Sequence, residues 1–210
     1  MKFLNFNKVL CLSPHPDDVE YSMGGSIIKS KETHFDVLCL TKGGDFDPST
    51  KTNRFEEITK FWKDTNANNV TQKFSPYEMI KDIGMDEWIH YIEVEFMGNG
   101  YDCIFTPSQL DSHFEHEFVS KFGYALIRCH STSLIEYCSP STLETWIPNL
   151  FVDVSGVYKT KASALKKFKS QLHRKYFDKS VIDGFHIHFP QSKKEMGKVE
   201  KFKIQQHIIK

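Results

Sequence analysis

No stretch of this 210-residue chain approaches the ~18 consecutive apolar residues that a membrane-spanning helix requires. The opening MKFLNFNKVLCLSP is short and interrupted by Asn5, Asn7 and Lys8. It does not read as a signal peptide, and a cytoplasmic location is expected. Excess charge is missing too, because Lys plus Arg and Asp plus Glu each total 27. Such a balance offers no field to nucleic acid or to an anionic membrane, and no recognition motif or basic-aromatic pattern points to nucleic acid. The five cysteines form no CxxC pair and sit mostly in apolar runs such as VLCL, so buried reduced thiols are expected and a disulfide scaffold is not. Repeats and low-complexity stretches are absent. Pro and Gly gather in SPHP, KGGDFDP and MGNG, which mark turns and not a linker, so residues 1–210 read as one domain.

Hydrophobic residues at 40% and aromatics at 14% supply an ample core. Short β-rich runs (KVLCL, FDVLCL, VTQKF, YDCIFTP, SLIEYC, NLFVDV) alternate with helical patterns near residues 18–31, 53–66, 86–97, 113–130 and 159–177. This is the rhythm of βαβ units, and the continuous apolar strands predict a mostly parallel α/β sheet covered by helices on both faces. Residues 151–210 hold 14 Lys or Arg against 5 Asp or Glu. That basic quarter reads as a solvated helix face and tail, with a phosphate-bearing or otherwise anionic ligand as the other reading.

In such a sheet, ligands bind beyond the carboxyl ends of the strands. Two stretches fall there. SPHPDDVEYSMGG follows KVLCL directly and puts His15, Asp17 and Asp18 at a helix start, where the dipole favours ionised carboxylates. His15 and Asp18 are three apart and can share a side, while Asp17 points elsewhere. TPSQLDSHFEH follows YDCIF in the same manner. Ser112 and Glu115 suggest a capping box that would make His113 the first helical residue, with His116 one turn on. A catalytic zinc takes three His or carboxylate ligands and leaves a position for water, which His15, Asp18 and His116 would satisfy. Helix capping by an aspartate and ordinary exposed histidines are the simpler reading of either stretch alone.

The PHPDD…GG of residues 14–25 and DSHFEH of residues 111–116 resemble the two motifs of the PIG-L/LmbE-like N-acetylglucosaminyl deacetylases, with weaker echoes at TKGG, RFEE, WIPN and KFKSQ. The resemblance implies a Rossmann-like three-layer sandwich. It also implies Zn²⁺, or another divalent metal, on His15, Asp18 and His116, with Asp17 as general base. His113 would steady the tetrahedral intermediate, and Arg54 and Asp111 would bind substrate. Phe114 and Glu115 stand where the family commonly has Pro and Asp, and Val19 where it has Glu.

The activity so implied is removal of an N-acetyl group from an amino sugar or glycoconjugate by a metal-dependent amidohydrolase. The same apparatus would serve another acyl bond, an O-acetyl ester or a different amide, and a non-catalytic sugar-binding member of the fold is a further alternative. The expected partner is a small-molecule substrate, and homo-oligomers are compatible with the abundant aromatics. Trp88 and Trp146 could stack on a sugar, with core packing the simpler reading for Trp88. Asp45 and Asp47 could bind sugar hydroxyls or serve a turn. Glu56 and Glu57 could equally form a solvated face. His34, His90, His130, His173 and His207 fall in no ligand spacing.

Overall fold

The computed structural model describes residues 1–43, 53–188 and 197–209. Asp45 and Asp47 lie outside them. Five strands run parallel in the spatial order β3 (Val70–Phe74), β2 (His34–Cys39), β1 (Lys8–Ser13), β4 (Cys103–Pro107), β5 (Ser133–Tyr137). The sheet then continues antiparallel through β8 (Gly197–Gln206), on which β6 (Leu150–Asp153) pairs as the last strand and β7 (Ile187–His188) as a short addition.

Alternation along β1 explains its unbroken apolar run. Val9 and Cys11 join a core with Ile27 of α1 (Asp18–Lys29), Phe61 of α2 (Arg54–Thr65) and Leu165 of α5 (Tyr158–Leu165). Leu10 and Leu12 join the opposite core with Ile92 of α3 (Met85–Glu95) and Phe122 of α4 (Phe114–Ile127). Helices on both faces of one sheet make the three-layer sandwich that the sequence predicts. None of the described helices is long and apolar enough to cross a membrane.

The basic C-terminal quarter departs from the expected helix face and tail. Its last part is strand β8, with Val199, Glu200 and Phe202 buried. The pattern predicted over 159–177 also ends early, at Leu165, and gives way to short 3₁₀ turns at Lys169–Gln171 and Lys175–Phe177. Ser170 is drawn out of the helical path because its N–H and Oγ both donate to the Glu57 carboxylate, at 3.0 and 2.6 Å. Glu57 is therefore buried and not part of a solvated face.

The glycine pair of the first motif has a packing reason. A Cβ on Gly25 would lie 2.9 Å from Glu200 Oε1 and 3.0 Å from Val154, so α1 sits against the β8 layer only without a side chain there. Glu200 accepts the N–H groups of Gly25 and Ser26 and pairs with Lys161, which also donates to the Tyr21 carbonyl. Both members of the pair are 0% exposed.

Candidate active site

The chain order reverses between β1 and β4, which neighbour each other although about 90 residues separate them. The turn after β1 delivers His15, Asp17 and Asp18, and the turn after β4 delivers His113, Glu115 and His116; all six line one pocket of about 750 Å³.

Asp17 is the N-cap of α1 but makes no capping hydrogen bond, and its φ of 138° is one that non-glycine residues seldom adopt. Holding it there costs about 1–3 kcal/mol. The strained backbone is offset by Arg54, at the start of α2, whose Nη2 donates to the Pro16 carbonyl at 2.9 Å and to Asp17 Oδ1 at 3.3 Å. Asp17 Oδ2 has no hydrogen-bond partner among the described residues. Burial raises the Asp17 pKa, Arg54 opposes and Asp18 adds to the rise, leaving it at about 7.

The Asp18 carboxylate lies between two imidazoles, 3.2 Å from His15 Nδ1 and 3.3 Å from His116 Nε2, and those nitrogens are 3.3 Å apart. Burial opposes ionisation of Asp18, but the charge and hydrogen bond of His116 and those of His15 outweigh it and hold the pKa well below the carboxylate range. Burial likewise disfavours the imidazolium forms. The carboxylates prevail, lifting His15 to about 9 and His116 to about 10.

His113 is the N-cap of α4, and its Nδ1 accepts the Glu115 N–H at 3.3 Å. This shifts the expected capping box by one residue: His113 precedes the first helical turn, and Ser112 donates its hydroxyl to the Ser141 carbonyl. Glu115 reaches His15 Nε2 instead of closing a box. Burial, followed by the neighbouring His116 and His15, lowers the His113 pKa. With Nδ1 accepting, the neutral ring carries its proton on Nε2.

Asp111 does not line the pocket. Its side chain is 0% exposed and lies 3.2 Å from His116 Nδ1. It also accepts from the Ser139 and Ser141 hydroxyls at 2.6 Å and from the His113 N–H at 2.9 Å. Asp111 thereby fixes the His116 ring. Burial would raise its pKa, but the His116 bond and charge and the serine hydroxyls bring it to about 2.

Sequence reasoning marked Glu115 as half of a capping box and Asp111 as a substrate-binding residue, and singled out neither as an imidazole partner. Trp88 and Trp146 are buried, their indole N–H groups donating to the Ile80 carbonyl and to Glu136.

His15, His113 and His116 offer ring nitrogens within 4.8 Å of one another, a grouping that can hold a divalent ion. The donor set suits one chemically, because imidazole nitrogens take divalent transition metals and the Asp111 carboxylate behind His116 is a common support for a ligating ring. The family model for GlcNAc-PI de-N-acetylase matches residues 10–127, more than half of the chain and both motif turns. The chain belongs to this PIG-L family.

A comparison with curated protein sequences finds no match. Among solved structures, a conserved protein from Thermus thermophilus is 16% identical, with 96% of each chain covered and a TM-score of 0.71. The N,N'-diacetylchitobiose deacetylase of Pyrococcus horikoshii is 18% identical over 97% of this chain and 85% of its own, with a TM-score of 0.69. The 4-carboxy-2-hydroxymuconate hydratase GalB of Pseudomonas putida is 16% identical over 97% and 98%, with a TM-score of 0.67. At these identities the likeness is one of fold, and the fold carries both deacetylase and hydratase. Family and fold together support a metal-dependent hydrolase of the PIG-L superfamily.

Proposed function

We propose that the protein is a zinc-dependent hydrolase that removes an N-acetyl group from an amino sugar or glycoconjugate. The observation that carries this reading is the buried oxygen of Asp17, without a hydrogen-bond partner among the described residues, beside the His15, Asp18 and His116 cluster in one pocket. His15, Asp18 and His116 would hold the ion. The 3.3 Å between His15 Nδ1 and His116 Nε2 supports this, since two ligands on a tetrahedral Zn²⁺ with bonds of about 2.0–2.1 Å lie ~3.3 Å apart. Asp18 faces these nitrogens with its two oxygens, Oδ2 3.2 Å from His15 and Oδ1 3.3 Å from His116. Bound there, a divalent ion supplies Lewis acidity, polarising a carbonyl oxygen and easing deprotonation of water near neutral pH.

The chain's own groups then act on the amide. Asp17, with a pKa near 7, takes the proton of the attacking water through Oδ2. Arg54 holds the other carboxylate oxygen and fixes the direction of transfer. His113, neutral and with its proton on Nε2, donates a hydrogen bond to the oxygen that gains charge as the carbonyl becomes tetrahedral. Asp17 returns its proton to the nitrogen, which leaves as the amine while acetate is released. Arg54 also lines the pocket and borders the sugar.

Acetate release from a panel of N-acetylated sugars, O-acetylated sugars and other amides, with and without chelator, tests this reading. Chelator-sensitive release from N-acetyl sugars is expected. Release from esters alone, or binding without turnover by zinc-loaded protein, would overturn it.

A further inference from the structure

Charge in the pocket is divided. Among the described residues its acids are Asp17, Asp18 and Glu115, all on the two motif turns. Its cations other than Arg54 come from two segments remote from those turns: Lys81 follows β3, and Arg174 and Lys175 lie between α5 and α6 (Lys179–Phe185). The acids are engaged with histidines and with Arg54, so they do not neutralise the lysines. Lys81 and Lys175 are exposed and form no ion pair among the described residues. The carboxylate next to Lys81 is turned away, because Asp82 Oδ2 accepts the N–H groups of Glu78 and Met79 at 3.0 and 2.8 Å.

Both lysines are presented from anchored backbone. Ile80, beside Lys81, is 2% exposed, and its carbonyl accepts the Trp88 indole N–H at 2.8 Å. Lys175 stands before Tyr176, whose carbonyl accepts the Tyr21 hydroxyl at 2.8 Å, and near Phe177, which is buried. Two cations held over a concave site without acidic partners among the described residues raise the local concentration of an anion. The space is sufficient: at no more than ~30 Å³ per heavy atom, the share of a water molecule in the liquid, the roughly 15 heavy atoms of an N-acetylhexosamine fill at most about 450 Å³. The pocket of about 750 Å³ has room for a further substituent.

We propose that Lys81 and Lys175, with Arg174 beside them, form a subsite for a phosphate carried by the substrate, so that the substrate is a phosphorylated acylamino sugar. The inference rests on the deacetylase reading for the acyl end alone. Phosphate matches the pair because separate ammonium groups act as point charges on its several oxygens. The basic C-terminal quarter thereby gains a role for Lys175 and Arg174 that strand β8 does not explain.

Calorimetric titration of the zinc-loaded protein with N-acetylglucosamine, N-acetylglucosamine 1-phosphate and UDP-N-acetylglucosamine tests the subsite. Both phosphorylated probes are expected to bind at least about tenfold tighter than the plain sugar, with the advantage shrinking as salt rises. It should vanish in a Lys81→Gln/Lys175→Gln double variant and persist in Lys81→Arg/Lys175→Arg. An advantage for the nucleotide sugar over the sugar 1-phosphate assigns a diphosphate; equal affinity of the two assigns a single phosphate. Equal affinity for all three probes, no binding of either phosphorylated probe, or an advantage that survives in the glutamine variant would overturn the proposal. Acetate release is scored separately. Phosphate-dependent binding without turnover of any probe removes the deacetylase reading and leaves the subsite, whereas turnover of the plain sugar with no phosphate preference removes the subsite alone.

Discussion

Arg54 Nη2 lies 3.3 Å from Asp17 Oδ1, and the same aspartate keeps its second oxygen without a partner among the described residues. One oxygen is thus fixed while the other is available to a proton. Asp17→Asn is expected to retain the metal yet lose roughly 10²- to 10⁴-fold in kcat, the usual contribution of a general base. Metal content and turnover of the same preparation check this, and unchanged turnover would remove Asp17 from the role.

His116→Ala and His15→Ala are expected to lose bound zinc outright. Elemental analysis after dialysis measures it, and full occupancy in either variant would refute the ligand set.

Asp111→Asn keeps the volume but replaces the carboxylate 3.2 Å from His116 Nδ1 with an amide. Loss of the charge behind a ligating ring typically lowers metal affinity 10- to 100-fold. Competition with a chelator of known affinity reads this directly, while circular dichroism confirms that the serine cage around residue 111 still folds.

Glu20 supplies a pH prediction for chelated protein. Burial raises its pKa to about 8, against the Trp62 indole hydrogen bond, with Asp17 and Asp18 adding to the rise. A folded pKa above the unfolded value of about 4.3 means that the native state binds the proton more tightly. The associated stability is complete below about pH 4 and is lost as pH rises toward 8. Asp17 contributes with the same sign. Glu20→Gln should therefore flatten the fall in Tm between pH 5 and pH 9; an unchanged slope would show that Glu20 does not titrate in this window.

Gly25→Ala would place a methyl group 2.9 Å from Glu200 Oε1 and 3.0 Å from Val154. Overpacking of this kind costs about 1–3 kcal/mol. Urea denaturation measures it, and a loss below about 0.5 kcal/mol would mean that α1 shifts freely against β8.

Both motif turns were legible because each follows a strand whose apolar run is unmistakable, and a strand end fixes where the next side chains go. KVLCL and YDCIF became neighbours β1 and β4, so His15 and His116 met. Strand β8 escaped because Lys198, Lys201 and Lys203 interrupt its apolar pattern, and only tertiary packing reveals that Val199, Glu200 and Phe202 are buried. Asp111 was legible as a motif residue but not as a support for His116, because its surroundings come from Ser139 and Ser141, which lie on a different turn. The register at His113 was misjudged by one residue for a related reason: Ser-x-x-Glu names a cap only when both side chains are free for it, and here Glu115 is held by His15.

Glu200 ties β8 to the backbone of the helix whose N-cap is Asp17 and whose first residue is Asp18. A random-mutagenesis screen for inactive clones would accordingly return Glu200 and Lys161 together with the pocket residues, although neither faces the pocket. Sorting such clones by soluble yield before assay would separate a helix that has lost its mooring from a site that has lost its chemistry.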